Sequence, residues 1–248
     1  GSSQLPKVWR LGPEPNLRQM HHEACRRVQP DIVEGRLLDE IGRQKDLTAG
    51  ASPAGAHVHT LPQKPRDVED AGEFHFAVLG PPAASESGKP STLARKFIDE
   101  TTAADRPRVY RNAIVLAVPS QNGLDVVRGR IRDHIGWQDV SQQLKGKEVD
   151  PIRVQRLTTE LSRANRQVPA SIQEAYSIVV TVNEANEVHA FKVSVGDAPL
   201  FQTIKTDPKS RIQDTPVTAE ALLPEGPYNL WRKGETNRRV KDLVGAFA

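Results

Sequence analysis

Asn112-Ala113-Ile114-Val115-Leu116-Ala117-Val118-Pro119 decides the fold, because it is apolar without a break from residue 113 onward. A strand with one wet face alternates, whereas a continuous apolar run suits a strand covered on both faces. Ser120-Gln121-Asn122-Gly123 reads as a turn. The spacing then predicts a helix from Leu124 to His134, with Leu124, Val127 and Ile131 turned inward and Arg128, Arg130 and Arg132 mostly outward. Upstream, Phe74-His75-Phe76-Ala77-Val78-Leu79 reads as another strand, ended by Gly80-Pro81-Pro82. A polar loop over 83–89 leads to a helix from Pro90-Ser91 through Thr102, whose stripe is Leu93, Ala94, Phe97 and Ile98. Residues 74–140 therefore alternate strand, helix, strand, helix. That order implies an α/β (or α+β) fold, with a central mixed, partly parallel sheet flanked by helices.

Working outward, residues 13–46 read as helical. Asn16 is a good amino cap and Leu17, Met20, Ala24 and Val28 share a face. Pro30-Asp31 opens a second helix with Ile32, Leu37, Leu38 and Ile41 apolar. The stretch 48–70 is rich in Ala, Gly and Pro and reads as a connection with a short strand at 56–60. Beyond the core, Pro151 to about Ser177 reads as a long helix or helix pair, with a break or kink expected at Pro169. Ile178–Val182 and Glu187–Val195 flank Asn183-Glu184-Ala185-Asn186 as a hairpin. Val188, Ala190, Lys192 and Ser194 should share one face, and His189, Phe191, Val193 and Val195 the other. The chain thus divides into amino-terminal helices and linker (1–70), an α/β core (71–195) and an irregular, partly helical tail (196–248). Gly1-Ser2-Ser3 reads as the scar of a cleaved tag. The apolar spacing of Val240, Leu243, Val244 and Phe247 runs to the last residue without a stop signal, so the expectation is a piece excised from a longer protein.

Composition bounds the function classes. Of 248 residues, 37% are hydrophobic and 5% aromatic, which implies a modest core with long polar loops. The net charge of +3 permits a nucleic-acid partner without requiring one. One cysteine, Cys25, excludes an internal disulfide and fits a cytoplasmic protein. No apolar run approaches the roughly 20 residues that span a bilayer, so no membrane partner is expected.

The loop Ala83-Ala84-Ser85-Glu86-Ser87-Gly88-Lys89-Pro90 sits between a strand and a helix, as a phosphate-binding loop does. Ala83 stands where the first glycine of that pattern belongs, and Pro90 where the magnesium-binding Ser/Thr belongs. Proline offers neither a hydroxyl nor an N–H. The loop reads as an ordinary connection, without a nucleotide. His21, His22, Glu23 and Cys25 are close in sequence, and His21 and Cys25 face each other at helical spacing. A zinc site needs three or four ligands, and no second cluster has matching spacing. His57 and His59 could join them only through the fold. Ser120 lacks the flanking glycines of a nucleophile elbow. No catalytic residue is assigned.

Arginines cluster twice. Arg106, Arg108 and Arg111 precede the continuous apolar strand and Arg128, Arg130 and Arg132 follow it; later come Arg232, Lys233, Arg238, Arg239 and Lys241. Their forked guanidiniums suit phosphates, so these residues are candidates for nucleic-acid contact. Arg106, Arg108 and Arg111 are also candidates for reaching a nucleotide held by a neighbour. Interleaved Asp105, Asp125, Asp133, Glu235 and Asp242 favour a charge-mixed solvated surface instead.

Four segments together resemble a known family: Glu14-Pro15-Asn16-Leu17, Arg108-Val109-Tyr110-Arg111-Asn112-Ala113-Ile114-Val115, Glu174-Ala175-Tyr176, and Leu222-Leu223-Pro224-Glu225-Gly226-Pro227-Tyr228-Asn229-Leu230-Trp231. Their order resembles the region downstream of the ATPase core in large AAA+-type bacterial ATP-binding proteins found in phage-defence and restriction gene neighbourhoods. The resemblance implies that ATP and magnesium belong to the full-length protein, that the parent polypeptide is the immediate partner, and that DNA, a methyltransferase or a helicase is a further one. It transfers no catalytic residue. The expected function is a non-catalytic accessory region coupling nucleotide state to a partner. The alternatives are a DNA-binding module using the arginine clusters and a stand-alone hydrolase with a scattered site.

Overall fold

The computed structural model describes residues 16–103, 105–212, 220–226, 231, 234, 236–239 and 241. Five strands form one mixed sheet in chain order: β1 (His57–Thr60), β2 (His75–Val78), β3 (Ile114–Val118), β4 (Ile178–Val182) and β5 (Val188–Lys192). β1, β2 and β3 run parallel, and β4 and β5 are antiparallel additions. The fold is α/β, as the strand–helix alternation implies.

Among the described residues there are six α-helices, of which the first packs on the fourth rather than on the sheet: α1 (Leu17–Arg27), α2 (Pro30–Arg43), α3 (Thr92–Asp99), α4 (Gln121–Leu144), α5 (Pro151–Ala175) and α6 (Leu200–Thr206). Strand parity sorts the core into two layers. Phe76, Val78, Val115, Ala117, Val179 and Phe191 face a large cluster built with α2, α4, α5 and α6. Ala77, Leu79, Ile114, Leu116, Val118, Ile178 and Val180 face the other way, onto the short α3. Every residue of β3 is buried, which is why its sequence shows no polar alternation. The hairpin parity also holds: Val188 and Ala190 join the α3 layer, while Phe191 and Val193 join the large one.

Local signals account for the ends. Asn16 Oδ1 accepts from the Gln19 N–H at 2.8 Å, and Ser91 Oγ and Ser120 Oγ cap α3 and α4 in the same way. Asn183 Oδ1 accepts from the amides of Ala185 and Glu187, closing the hairpin turn, where Asn186 takes φ 59°.

The structure extends or refines several of these readings. The helix expected over Leu124–His134 runs on to Leu144, because Trp137 and Val140 extend its buried stripe past Gly136 into a third cluster with Leu17 and Ala24 of α1. Of the long helix or helix pair expected here, the single helix is found: α5 is continuous over 25 residues, with no break at Pro169. Pro169 removes one N–H, yet Val168, Ile172 and Ala175 on either side are buried against the core and hold the helix together. The apolar residues noted in α2 divide: Leu37 and Ile41 are buried with Val33, and Ile32 and Leu38 are exposed, a division that the apolar pattern alone leaves open. Finally β1, grouped above with the amino-terminal linker, pairs with β2 in the same sheet.

Among the described residues no helix is long and apolar enough to cross a membrane. The expected helix at the carboxyl end rests on residues 240–247, nearly all outside the described residues.

Candidate functional site

The loop after β2 shows how the carboxyl end of the sheet is closed. It folds across the end of β3, with the Ser85 N–H donating to Pro119 O at 3.0 Å and the Gly88 N–H to Ala190 O at 2.9 Å. Glu86 and Lys89 exchange backbone hydrogen bonds of 3.1 and 2.8 Å. The Ser91 N–H donates to Ser85 Oγ at 2.9 Å, and the hydroxyls of Ser85 and Ser91 both donate to Ala83 O. Five amides of this loop are therefore committed to protein acceptors. A phosphate needs such amides converging and free. The start of α4 is likewise occupied: Ser120 caps it, and the Glu86 carboxylate accepts from the Gln121 N–H at 3.2 Å, in the place where the helix dipole would favour an anion.

The arginines fall into structurally different groups. Arg108 is 3% exposed. Its guanidinium donates to four carbonyls: Phe97 (3.2 Å), Glu69 (2.8 Å), Pro65 (3.1 Å) and Val68 (3.1 Å). Asp70 lies 4.0 Å away and also accepts from the amides of Val109 and Tyr110. Burial lowers the Arg108 pKa, partly opposed by Asp70. This fork ties the β1–β2 connection to α3. Arg111 donates to Asp99 from two nitrogens, at 3.0 and 2.6 Å, and to Asn186 O at 2.8 Å, joining α3 to the hairpin turn. Arg128 grips Glu34 of α2 through two nitrogens, at 2.5 and 3.2 Å, and Asp125 at 3.1 Å.

On α4 the three arginines do not share one face. Arg128 and Arg130 lie about 200° apart around α4, so Arg130 points toward Gln167 of α5, 3.3 Å away. Arg132 is half-buried beside Cys25, and Arg106 is exposed. Arg238 is half-buried and Arg239 exposed. Arg232 and Lys233 lie outside the described residues.

Two titratable clusters form. On β1 and β2, His57, His59 and His75 share a face. His59 Nε2 and His75 Nδ1 are 3.0 Å apart, and His57 Nε2 sits 2.8 Å from Glu73. His75 is 2% exposed and its Nε2 has no partner among the described residues. Burial first, then the neighbouring histidines and Arg108, lower the His75 pKa; burial and His57 lower that of His59. Register made this trio, since His57 pairs with His75 across the strands. The second cluster lies between α1 and α4. His21 stacks on Trp137 at 4.1 Å, and its Nε2 meets Cys25 Sγ (3.3 Å), Asp133 O (3.1 Å) and Asp133 Oδ1 (3.2 Å). A nucleophilic Cys–His–Asp relay uses both ring nitrogens, whereas here every contact falls on one. Burial and Asp133 also raise the Cys25 pKa, keeping it a thiol. Among the described residues no group of three or more His, Cys, Asp or Glu is arranged to hold a metal ion.

Two openings remain at the sheet ends. A crevice of about 450 Å³ beside the carboxyl ends of β1 and β2 is lined by Leu38, Pro81, Pro82, Leu93 and the Glu34–Arg128 pair. A cavity of about 300 Å³ lies at the amino ends of β2 and β3, with Lys205 and Arg211 in its wall. Sequence reading passed over both cations, because nothing in the spacing of residues 205 and 211 links them to Asn112 or Thr181 before the chain folds. No family model, curated protein or solved structure matches the chain.

Proposed function

We propose that this chain is a non-catalytic accessory region of a larger AAA+-type ATP-binding protein of the cytoplasm, coupling the nucleotide state of an ATPase core to a partner. The observation that carries the reading is the closed loop after β2. It stands where a triphosphate would be gripped, yet its amides and the hydroxyls of Ser85 and Ser91 are bound within the protein. Triphosphate chemistry on this reading belongs to another part of the polypeptide, and the chain transmits rather than hydrolyses. The phage-defence setting rests on the family resemblance alone. A DNA-binding role is the weaker reading, because Arg108, Arg111 and Arg128 are committed to carbonyls and carboxylates within the fold.

The test is direct. The purified 248-residue chain with magnesium and ATP is expected to release no phosphate and to show no nucleotide-dependent shift in Tm. Turnover by the chain, or a nucleotide seated against Ser87–Ser91 in a soaked crystal, would overturn the reading.

A further inference from the structure

The cavity of about 300 Å³ at the amino ends of β2 and β3 has a one-sided chemistry. Lys205 of α6 and Arg211 just beyond it line the space, and none of the described lining residues is acidic. Arg211 is held in place: its backbone takes φ 58°, and one nitrogen donates to Asn183 O at 2.9 Å in the hairpin turn. A guanidinium carries five N–H donors, so donors remain for a ligand.

Around the cations stand polar groups that are already desolvated. Thr181 is 2% exposed, and its hydroxyl donates to Ile114 O at 3.0 Å. Ser210 is 3% exposed, and its Oγ accepts from the Ile212 N–H at 3.3 Å. Asn112 adds a side-chain amide. The other wall is apolar. Phe74 and Phe201 stand 6.2 Å apart at a 38° tilt, with Val115 beneath them. The positive field extends to His189 on β5, whose pKa is lowered by burial and by the charges of Arg211 and Lys209.

We propose that this cavity binds a small phosphate monoester carrying a planar apolar body, with the phosphate held by Lys205 and Arg211 and the ring against Phe74 and Phe201. The Thr181 hydrogen is spent on Ile114 O, so the donors beside the two cations are the Ser210 hydroxyl and the Asn112 amide, and a dianion with three acceptor oxygens matches that set better than a carboxylate does. The volume lies at the small end of ligand sites, enough for one ring and one phosphate. The site is at the opposite end of the parallel strands from the loop after β2, so it stands or falls independently of the accessory role proposed above.

The experiment is calorimetric titration of the 248-residue chain with phenyl phosphate, inorganic phosphate and benzoate. Phenyl phosphate is expected to bind saturably, one per chain, with Kd on the order of 0.1 mM, and about tenfold more tightly than inorganic phosphate because the ring is buried. Lys205→Gln combined with Arg211→Asn is expected to weaken it at least about tenfold; asparagine is chosen because it tolerates the positive φ. Phe74→Ala should weaken phenyl phosphate while leaving inorganic phosphate unchanged. Lys205→Arg keeps the charge and should retain binding, which separates loss of the ligand from loss of the fold. Absence of saturable binding, binding undiminished in the double variant, or benzoate binding as tightly as phenyl phosphate would each overturn the proposal.

Discussion

Replacing Arg108 with methionine removes a buried cation and leaves its surroundings in place. The side chain has no exposed surface, and its donors satisfy the carbonyls of Pro65, Val68, Glu69 and Phe97. In R108M the carbonyls of Val68, Glu69 and Phe97 lose this donor, while Pro65 O keeps the Val68 N–H at 3.1 Å. At about 1–1.5 kcal/mol for each of these three orphaned groups, the loss is about 3–4 kcal/mol. The cost of breaking a buried ion pair by deleting one member, about 3–5 kcal/mol, gives the same range. Methionine recovers part of the packing, so about 3 kcal/mol is the expected net loss. Typical domains hold about 5–15 kcal/mol in total. With a urea slope near 2 kcal/mol per molar, the midpoint should fall by about 1.5 M. R108K should recover less than half of this, since a point charge with three donors cannot span four carbonyls set around a planar fork. The assay is urea unfolding followed by far-UV circular dichroism, with the slope checked for constancy. An R108M midpoint within about 0.5 M of the parent, or full recovery in R108K, would refute the account. It would also return Arg108 to the set of arginines available to a phosphate.

Two further outcomes follow from the packing and the titrating groups. A Cβ on Gly123 would lie 2.7 Å from Ala175 Cα and 2.8 Å from Ala175 Cβ. Gly123→Ala should therefore destabilise by about 1–2 kcal/mol despite better helix propensity, whereas Gly129→Ala, with nothing within 4 Å, should stabilise by about 0.5–1 kcal/mol; equal stabilisation of both in urea melts would contradict this. His59 and His75 have folded pKa values below 6.5, so the unfolded chain binds more protons at mildly acid pH. Their stabilising effect is complete above pH 6.5 and is lost as the pH falls through the folded values. Tm should fall from pH 7.5 to 5, and His75→Gln should flatten part of that slope; a flat or rising parent profile would remove the histidine trio as its cause.

What sequence could show depended on whether a signal was local. The unbroken apolar run of β3, the alternation over Val188–Val195 and the cap Asn16 each report on their immediate surroundings, and each lies where the pattern placed it. The helix expected to stop at His134 continues through Gly136, the point where α4 meets α1: a Cβ there would approach Cys25 Sγ to 2.5 Å. Glycine at a close helix contact and glycine at a helix end are the same letter. Arg108 sits beside Pro107 in a polar stretch and reads as exposed. Only the folding of residues 65–70 over it makes it a buried hub. The histidine trio and the Lys205–Arg211 pair are products of register and of chain return, and neither has a spacing to detect.

The mixed sheet also explains why the two ends of the molecule differ. In a purely parallel sheet, ligands collect at the carboxyl ends of the strands, where helix amino termini converge. Here the carboxyl ends of β2 and β3 are covered by the loop over 80–91, and Glu86 already occupies the start of α4. β4 runs the other way, so its carboxyl end, at Thr181 and Val182, lies level with the amino end of β3. The chain leaving the hairpin returns across that end as α6 and brings Lys205, Ser210 and Arg211 with it. Reversal of one strand thus moves the open, cationic end of the sheet to the side opposite the phosphate-loop position. A ligand found at Lys205 and Arg211 would owe its site to the antiparallel addition, and variants that loosen the β4–β5 turn, through Asn183 or Arg111, would disturb that end before the parallel half of the sheet.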